Sequence, residues 1–97
     1  FHRLIKFTLR YKEINALNEA AQYFATMLKS KFGSRVLGPE FPSVARVRNQ
    51  FNKNVLLKVE KEASINAAKI AIRLMLVEMA THQHHKKVRV IVDVDPN

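Results

Sequence analysis

Two arginines separated by one residue, Arg46 and Arg48, carry the sharpest chemical signal in the chain. On a strand, residues two apart point the same way, so two guanidiniums could straddle adjacent phosphates, each donating in a fork. Alternation over Ser43–Arg48 puts Val44, Arg46 and Arg48 on one side and Ala45 and Val47 on the other. The competing reading is a solvated edge on which the arginines pair with Glu60 or Asp93. Phe51, just beyond, is either a stacking platform for a base at a hairpin tip or an apolar plug folded back on the sheet.

Other residue types are weaker candidates. His82, His84 and His85 raise the question of a metal, but adjacent histidines in a basic loop converge poorly and no carboxylate lies near in sequence, so we assign no metal site. They read instead as a solvated loop whose charge grows as pH falls toward about 6.5. Asp93 offsets neighbouring cations, and Asp95 shapes a turn before Pro96. Gly38-Pro39 reads as a turn needing backbone freedom or a close approach that a Cβ would spoil. No P-loop or nucleophile–base pair is present, and the acylphosphatase type of enzyme is disfavoured because no glycine precedes Gly33. The expectation is a non-catalytic domain with no cofactor of its own.

Composition narrows the partner. The 97 residues hold 17 Lys and Arg against 8 Asp and Glu, a net charge of +9, more than solubility asks of a small domain. The basic residues are spread along strand patterns and no long apolar run exists, which favours nucleic acid over a membrane. Cysteine is absent, which removes disulfides, thiolate zinc sites and a cysteine nucleophile. The length suits one domain with a two-layer core, residues 1–97.

These residues need elements to position them. Alternation over Arg3–Tyr11 predicts a strand with Ile5, Phe7, Leu9 and Tyr11 inward and Lys6 and Arg10 outward. A helix capped by Asn15 runs to Phe32 on the stripe Leu17, Ala21, Phe24, Leu28, Phe32, and Gly33 stops it. A short strand over Arg35–Leu37 ends at Gly38-Pro39. A hairpin follows, with strands over Ser43–Arg48 and Asn54–Glu60 joined by Asn49–Asn52. A second helix, capped by Ser64 and reaching Thr81, buries Ile65, Ala68, Ile72, Met75 and Met79, while Ile70, Leu74 and Val77 widen its apolar stripe. A last strand over Lys87–Val94 points its valines inward and Arg89, Ile91 and Asp93 outward. The fold class is α+β, a two-layer split βαβ sandwich. Two helices cover only one face of such a sheet. The open face is expected to carry Lys6, Arg10, Arg46, Arg48, Lys58 and Arg89 among Leu4, Val44, Leu56 and Ile91.

The string VLGPEFPSVARVRNQF with the later LLK, in a chain that opens FHRLIKFTL and closes VRVIVDVDPN, resembles the C-terminal domain of primosomal protein N-prime, the bacterial replication-restart helicase. Gly38-Pro39, Arg46-x-Arg48, Leu56-Leu57-Lys58 and Asp93-Val94-Asp95-Pro96 carry the resemblance, which spans essentially the whole chain. It implies a fold like that of ribosomal small-subunit protein ten and a domain excised from a larger, cytoplasmic, nucleoid-associated helicase. For that parent it implies ATP-dependent 3′ to 5′ unwinding, with ATP, magnesium and zinc bound outside this segment. It also implies three partners: forked or single-stranded DNA, the helicase core of the same chain, and single-strand-binding protein. The expected function is DNA binding and interdomain docking. The alternatives are a pure protein-interaction domain that docks the helicase core and the acidic tail of single-strand-binding protein, or a stand-alone RNA-binding domain of ribosomal type.

Overall fold

The structure, a computed structural model, describes residues 3–42 and 45–95. Strand β1 (Arg3–Tyr11) leads into helix α1 (Ile14–Phe32), a 3₁₀ turn (Gly33–Arg35) and strand β2 (Val36–Glu40). The short β3 (Arg46–Val47), the long β4 (Gln50–Val59), helix α2 (Glu62–Thr81) and β5 (Arg89–Val94) follow. The sheet order is β2-β4-β1-β5, with β3 also on β4, and the described pairings are antiparallel. β4 thus lies between β1 and β2, and β1 between β4 and β5. This is the expected α+β split βαβ sandwich.

Period-two patterning explains the sheet. Ile5, Phe7 and Leu9 of β1 and Val55, Leu57 and Val59 of β4 are buried on one face, registered as Ile5 to Leu57 and Phe7 to Val55. α1 covers them with Leu17, Ala20, Ala21, Phe24, Ala25 and Leu28. Phe7 meets Phe24 edge-on at 5.0 Å, an aromatic contact added to burial of both rings. Ala68, Ile72, Met75 and Met79 seat α2 against the same core. Gly33, at φ 61°, ends α1 and donates its N–H to the Lys29 carbonyl, as a residue without a Cβ can do at low cost.

Several boundaries differ from the sequence reading. Asn15 does not cap α1; the capping position is Glu13, with no side-chain cap bond. Ser64 likewise lies inside the first turn of α2, its N–H bonded to the Lys61 carbonyl, because Lys61 holds the cap position. Gly38-Pro39 lies within β2 rather than ending a strand. The hairpin turn is at Arg48 and Asn49, with φ 52° and 64°, not at Asn49–Asn52. Two consecutive positive φ values fit the tight turn that matches strand twist, and Asn is among the residues that tolerate them. β4 therefore starts at Gln50 and absorbs Phe51 and Asn52. Of the expected hairpin strand, Ser43 and Val44 lie outside the described residues, as does Pro96.

Candidate nucleic-acid interface

The face of the sheet turned away from the helices is built by parity. In antiparallel pairs, directly opposed residues share a face. Lys6 opposes Leu56 and Asp93, Thr8 opposes Asn54 and Ile91, Arg10 opposes Asn52 and Arg89, and Leu4 opposes Lys58. Since Ile5, Phe7 and Leu9 face the core, this second set faces out. Lys6, Arg10, Lys58 and Arg89 are therefore gathered on one surface with Leu4, Leu56 and Ile91, as the alternation over β1 and β5 predicted. Asp93 stands across from Lys6 and offsets part of the charge.

Arg46, Arg48 and Phe51 are not on that surface. Arg46 opposes Phe51, which opposes Tyr11, so all three belong to the helix side. The Arg46 guanidinium sits over the Phe51 ring at 5.4 Å and donates to Asn49 Oδ1 at 3.2 Å. Arg48 is a turn residue, so the two arginines share neither a strand nor a face. The shift of the turn is the physical reason, because moving the turn changes which residues pair and reverses the assignment of sides. Phe51 is half-buried against the core at the start of β4, packed rather than presented at a hairpin tip.

The displaced turn also brings in residues that the sequence reading used as connection or as mere alternation. Asn52 and Asn54, now inside β4, face outward with Thr8 and Arg10. Arg10 Nε donates to Asn52 Oδ1 at 2.7 Å, and the Thr8 hydroxyl donates to Asn54 Oδ1 at 3.3 Å. Asn52 is only 4% exposed although it is on the open face. A hollow of about 310 Å³ is lined by Lys6, Thr8, Arg10, Asn52, Asn54, Ile91 and Asp93, with Pro42 closing one wall. A second hollow of about 320 Å³ adjoins it through Pro42 and Asn54 and is floored by Leu37 and Leu56. The missed signal was continued alternation: carried back from Val59 to Phe51, the period puts Asn52 and Asn54 beside Leu56 and Lys58.

A family model, that of the primosomal protein N C-terminal domain, matches residues 1–97. The chain belongs to this family. Membership gives it a place in primosome function and replication restart. No curated protein matches the chain. Among solved structures it is similar to a "De novo designed protein Foldit4", with 11% identity, a TM-score of 0.69, and coverage of 100% of this chain and 99% of that one. At such identity the likeness is one of fold alone.

The remaining residues singled out from sequence have structural surroundings in this primosomal domain. Gly38 has φ 100° and precedes a cis bond to Pro39; a Cβ there would lie 2.8 Å from the Asn54 carbonyl oxygen and 3.2 Å from the Glu40 nitrogen. β2 and β4 shift register between Leu37 and Glu40 at this point. Asp95, at φ 53°, ties the chain end to β1: its carboxylate accepts the Leu4 N–H at 3.1 Å and pairs with Arg3, while its own N–H reaches the Leu4 carbonyl. The Leu4 amide, with help from Arg3, holds the Asp95 carboxyl below the usual carboxylate range. The histidines form no open loop. His82 and His85 stack at 4.3 Å and both rings lie against Tyr23, whose hydroxyl donates to Glu78 at 2.8 Å. Burial, then the nearby His82 and His84, push His85 below the ordinary histidine range. The solvated-loop reading is thus corrected for His85, which is 9% exposed, because three rings pack together at the foot of α2. Among the described residues, no three His, Asp or Glu side chains are placed to share a metal, and no helix is long and apolar enough to cross a membrane.

Proposed function

We propose that the open sheet face binds nucleic acid as the non-catalytic DNA-binding and docking module of a replication-restart, ATP-dependent helicase, of which residues 1–97 form the C-terminal domain. The observation that carries this reading is the register that aligns Lys6, Arg10, Lys58 and Arg89 on one uncovered face beside apolar Leu4, Leu56 and Ile91. Cations on such a face neutralise phosphates and release counterions, while the apolar residues between them pack on sugar or base. Arg46 and Arg48 add charge at the hairpin, as a separate contact. In the parent, ATP hydrolysis belongs to the helicase core, and the complex works in the bacterial cytoplasm at the nucleoid.

Fluorescence anisotropy of the 97-residue chain with forked, single-stranded and duplex DNA across a salt series tests this. Four phosphate contacts predict a log–log salt slope of about −3 on single strands. Lys6→Ala and Arg10→Ala should each flatten it by just under 1. Affinity and slope indifferent to both substitutions would overturn the reading.

A second reading has its own observation. Ile70, Leu74 and Val77 on α2 are 62%, 64% and 61% exposed, and Lys69 and Arg73 flank them. An apolar stripe of this kind, edged with positive charge, suits docking on the helicase core of the same chain or on the acidic tail of single-strand-binding protein. The two readings use opposite sides of the domain, and Leu74→Glu should weaken protein docking without changing the DNA salt slope.

A further inference from the structure

We infer that the hollow over β5, β1 and β4 seats one unpaired nucleotide, with Lys6 and Arg10 holding its phosphates and Asn52, Asn54 and Asp93 meeting the edge of its base. This deepens the proposed function and rests on it. Cationic strands alone would hold any polyanion, but here the cations border a hollow of about 310 Å³ whose walls carry oriented polar groups. Arg10 Nε engages Asn52 Oδ1 and the Thr8 hydroxyl engages Asn54 Oδ1. With both carbonyl oxygens occupied, and neither Nδ2 bonded among the described residues, each side-chain amide has its Nδ2 protons to offer a ligand. Asp93, ionised, supplies only acceptors.

The hollow thus presents donors on the β4 side and an acceptor on the β5 side. A cytosine edge carries an amino donor at one end and two adjacent acceptors, N3 and O2, which complements such a set, the amino group toward Asp93 and the acceptors toward Asn52 and Asn54. Ile91 and Pro42 line the same hollow and give apolar contact to the ring. A base inside a duplex has this edge already paired and cannot enter, so the ligand is a single strand or a frayed end. Asn52 is the positioning residue: 4% exposed and held by Arg10, it couples the cation that meets the phosphate to the amide that meets the base.

Anisotropy with an octacytidylate and with an abasic deoxyribose-phosphate strand of equal length tests this, because the two carry the same charge. The native chain should bind the octacytidylate about tenfold more tightly, the yield of two hydrogen bonds of ordinary net strength. Asn54→Leu should bring the ratio within twofold while leaving the salt slope unchanged. Thr8→Val, which releases the Asn54 carbonyl with little change of shape, should lower the ratio in the same direction and guards against a folding defect in the first variant. Lys6→Ala should weaken both strands and flatten the slope but keep the ratio. Equal binding of the two strands by the native chain, with a normal salt slope, would overturn the nucleotide seat and leave the basic face standing. Failure to bind either strand would sink both.

Discussion

Replacing Gly38 with alanine tests the geometry on which the open face depends. Gly38 occupies φ 100°, where a side chain is strained whatever the space around it. Holding a non-glycine residue in a sparsely populated backbone region costs on the order of 1–3 kcal/mol. The new Cβ would also stand 2.8 Å from the Asn54 carbonyl oxygen and 3.2 Å from the Glu40 nitrogen, both backbone atoms that cannot swing aside. Forced overpacking of this kind costs roughly 1–3 kcal/mol more. A loss of about 3 kcal/mol is expected, which in a domain of this size lowers the melting midpoint by roughly 12–24 °C. Gly33→Ala is the internal control: φ is 61°, but nothing lies within 4 Å of a built Cβ. With φ 61° and ψ −132° its backbone strain alone costs on the order of 1–3 kcal/mol, with no overpacking added, so a smaller drop than that of Gly38→Ala is expected. Scanning calorimetry of the two variants beside the native chain decides the matter. If Gly38→Ala melts no lower than Gly33→Ala, the close approach of β2 to β4 is not a constraint and the reasoning fails.

Three further outcomes follow from titration and from the hairpin. His85 has its folded-state pKa below the unfolded value, so the unfolded chain takes up protons first; stability should therefore fall as pH drops through about 6.5 and level off below the folded pKa. Urea midpoints measured at pH 7.5 and 5.5 should show this loss, and His85→Phe should shrink it. Asp95 is shifted the other way, so its contribution is present above the ordinary carboxylate pKa and disappears as pH falls through the depressed one. Asp95→Asn should lower the midpoint at neutral pH and lose that effect as pH falls below the usual carboxylate range, and a midpoint unchanged at neutral pH would refute the tie between the chain end and β1. Replacing Arg46 and Arg48 together by alanine should flatten the salt slope while leaving the cytidylate-to-abasic ratio intact, since neither side chain lines the hollow; a collapse of that ratio in anisotropy would contradict the placement of the hairpin.

Element types and order were legible because the period of the pattern changes cleanly from two to 3.6 and back. Ile5, Phe7 and Leu9 alternate with Lys6, Thr8 and Arg10, and no helical spacing competes there. The core faces of both helices could be read for the same reason, down to Phe24, Leu28, Met75 and Met79. The hairpin was misread because asparagine has two uses. Asn49, Gln50 and Asn52 look like turn formers, yet only Asn49 is in the turn, and Asn52 is a strand residue whose amide is satisfied by an arginine from the neighbouring strand. That partner is 42 residues away in sequence, which local propensity does not see. One consequence ran through the site: with the turn moved, Arg46 crossed to the helix side and Asn52 joined Asn54 on the open face. The histidines failed for a similar reason, since Tyr23, against which His85 packs, belongs to α1.

The likeness to a designed chain at 11% identity bears on where function resides. Two sequences only 11% identical reach the same architecture, in keeping with a fold specified by the apolar pattern on the buried side of the sheet rather than by particular residues. The open side is under no such demand. Nothing in the packing of Phe7, Phe24 or Leu57 requires that Lys6, Arg10, Lys58 and Arg89 be cationic, that Asn52 and Asn54 be amides, or that Thr8 carry a hydroxyl. A stable two-layer fold would be equally served by mixed charges there, and a net charge of +9 works against compactness through self-repulsion. Lys6, Lys58 and Arg89 lie on the side that the packing does not specify, so their shared charge requires a reason outside the fold, whereas Arg10, Asn52, Thr8 and Asn54 also bond one another across strands. On the proposed function, a single-stranded polyanion supplies that reason for the cations, and on the proposed nucleotide seat an unpaired base gives the amides between them a second use.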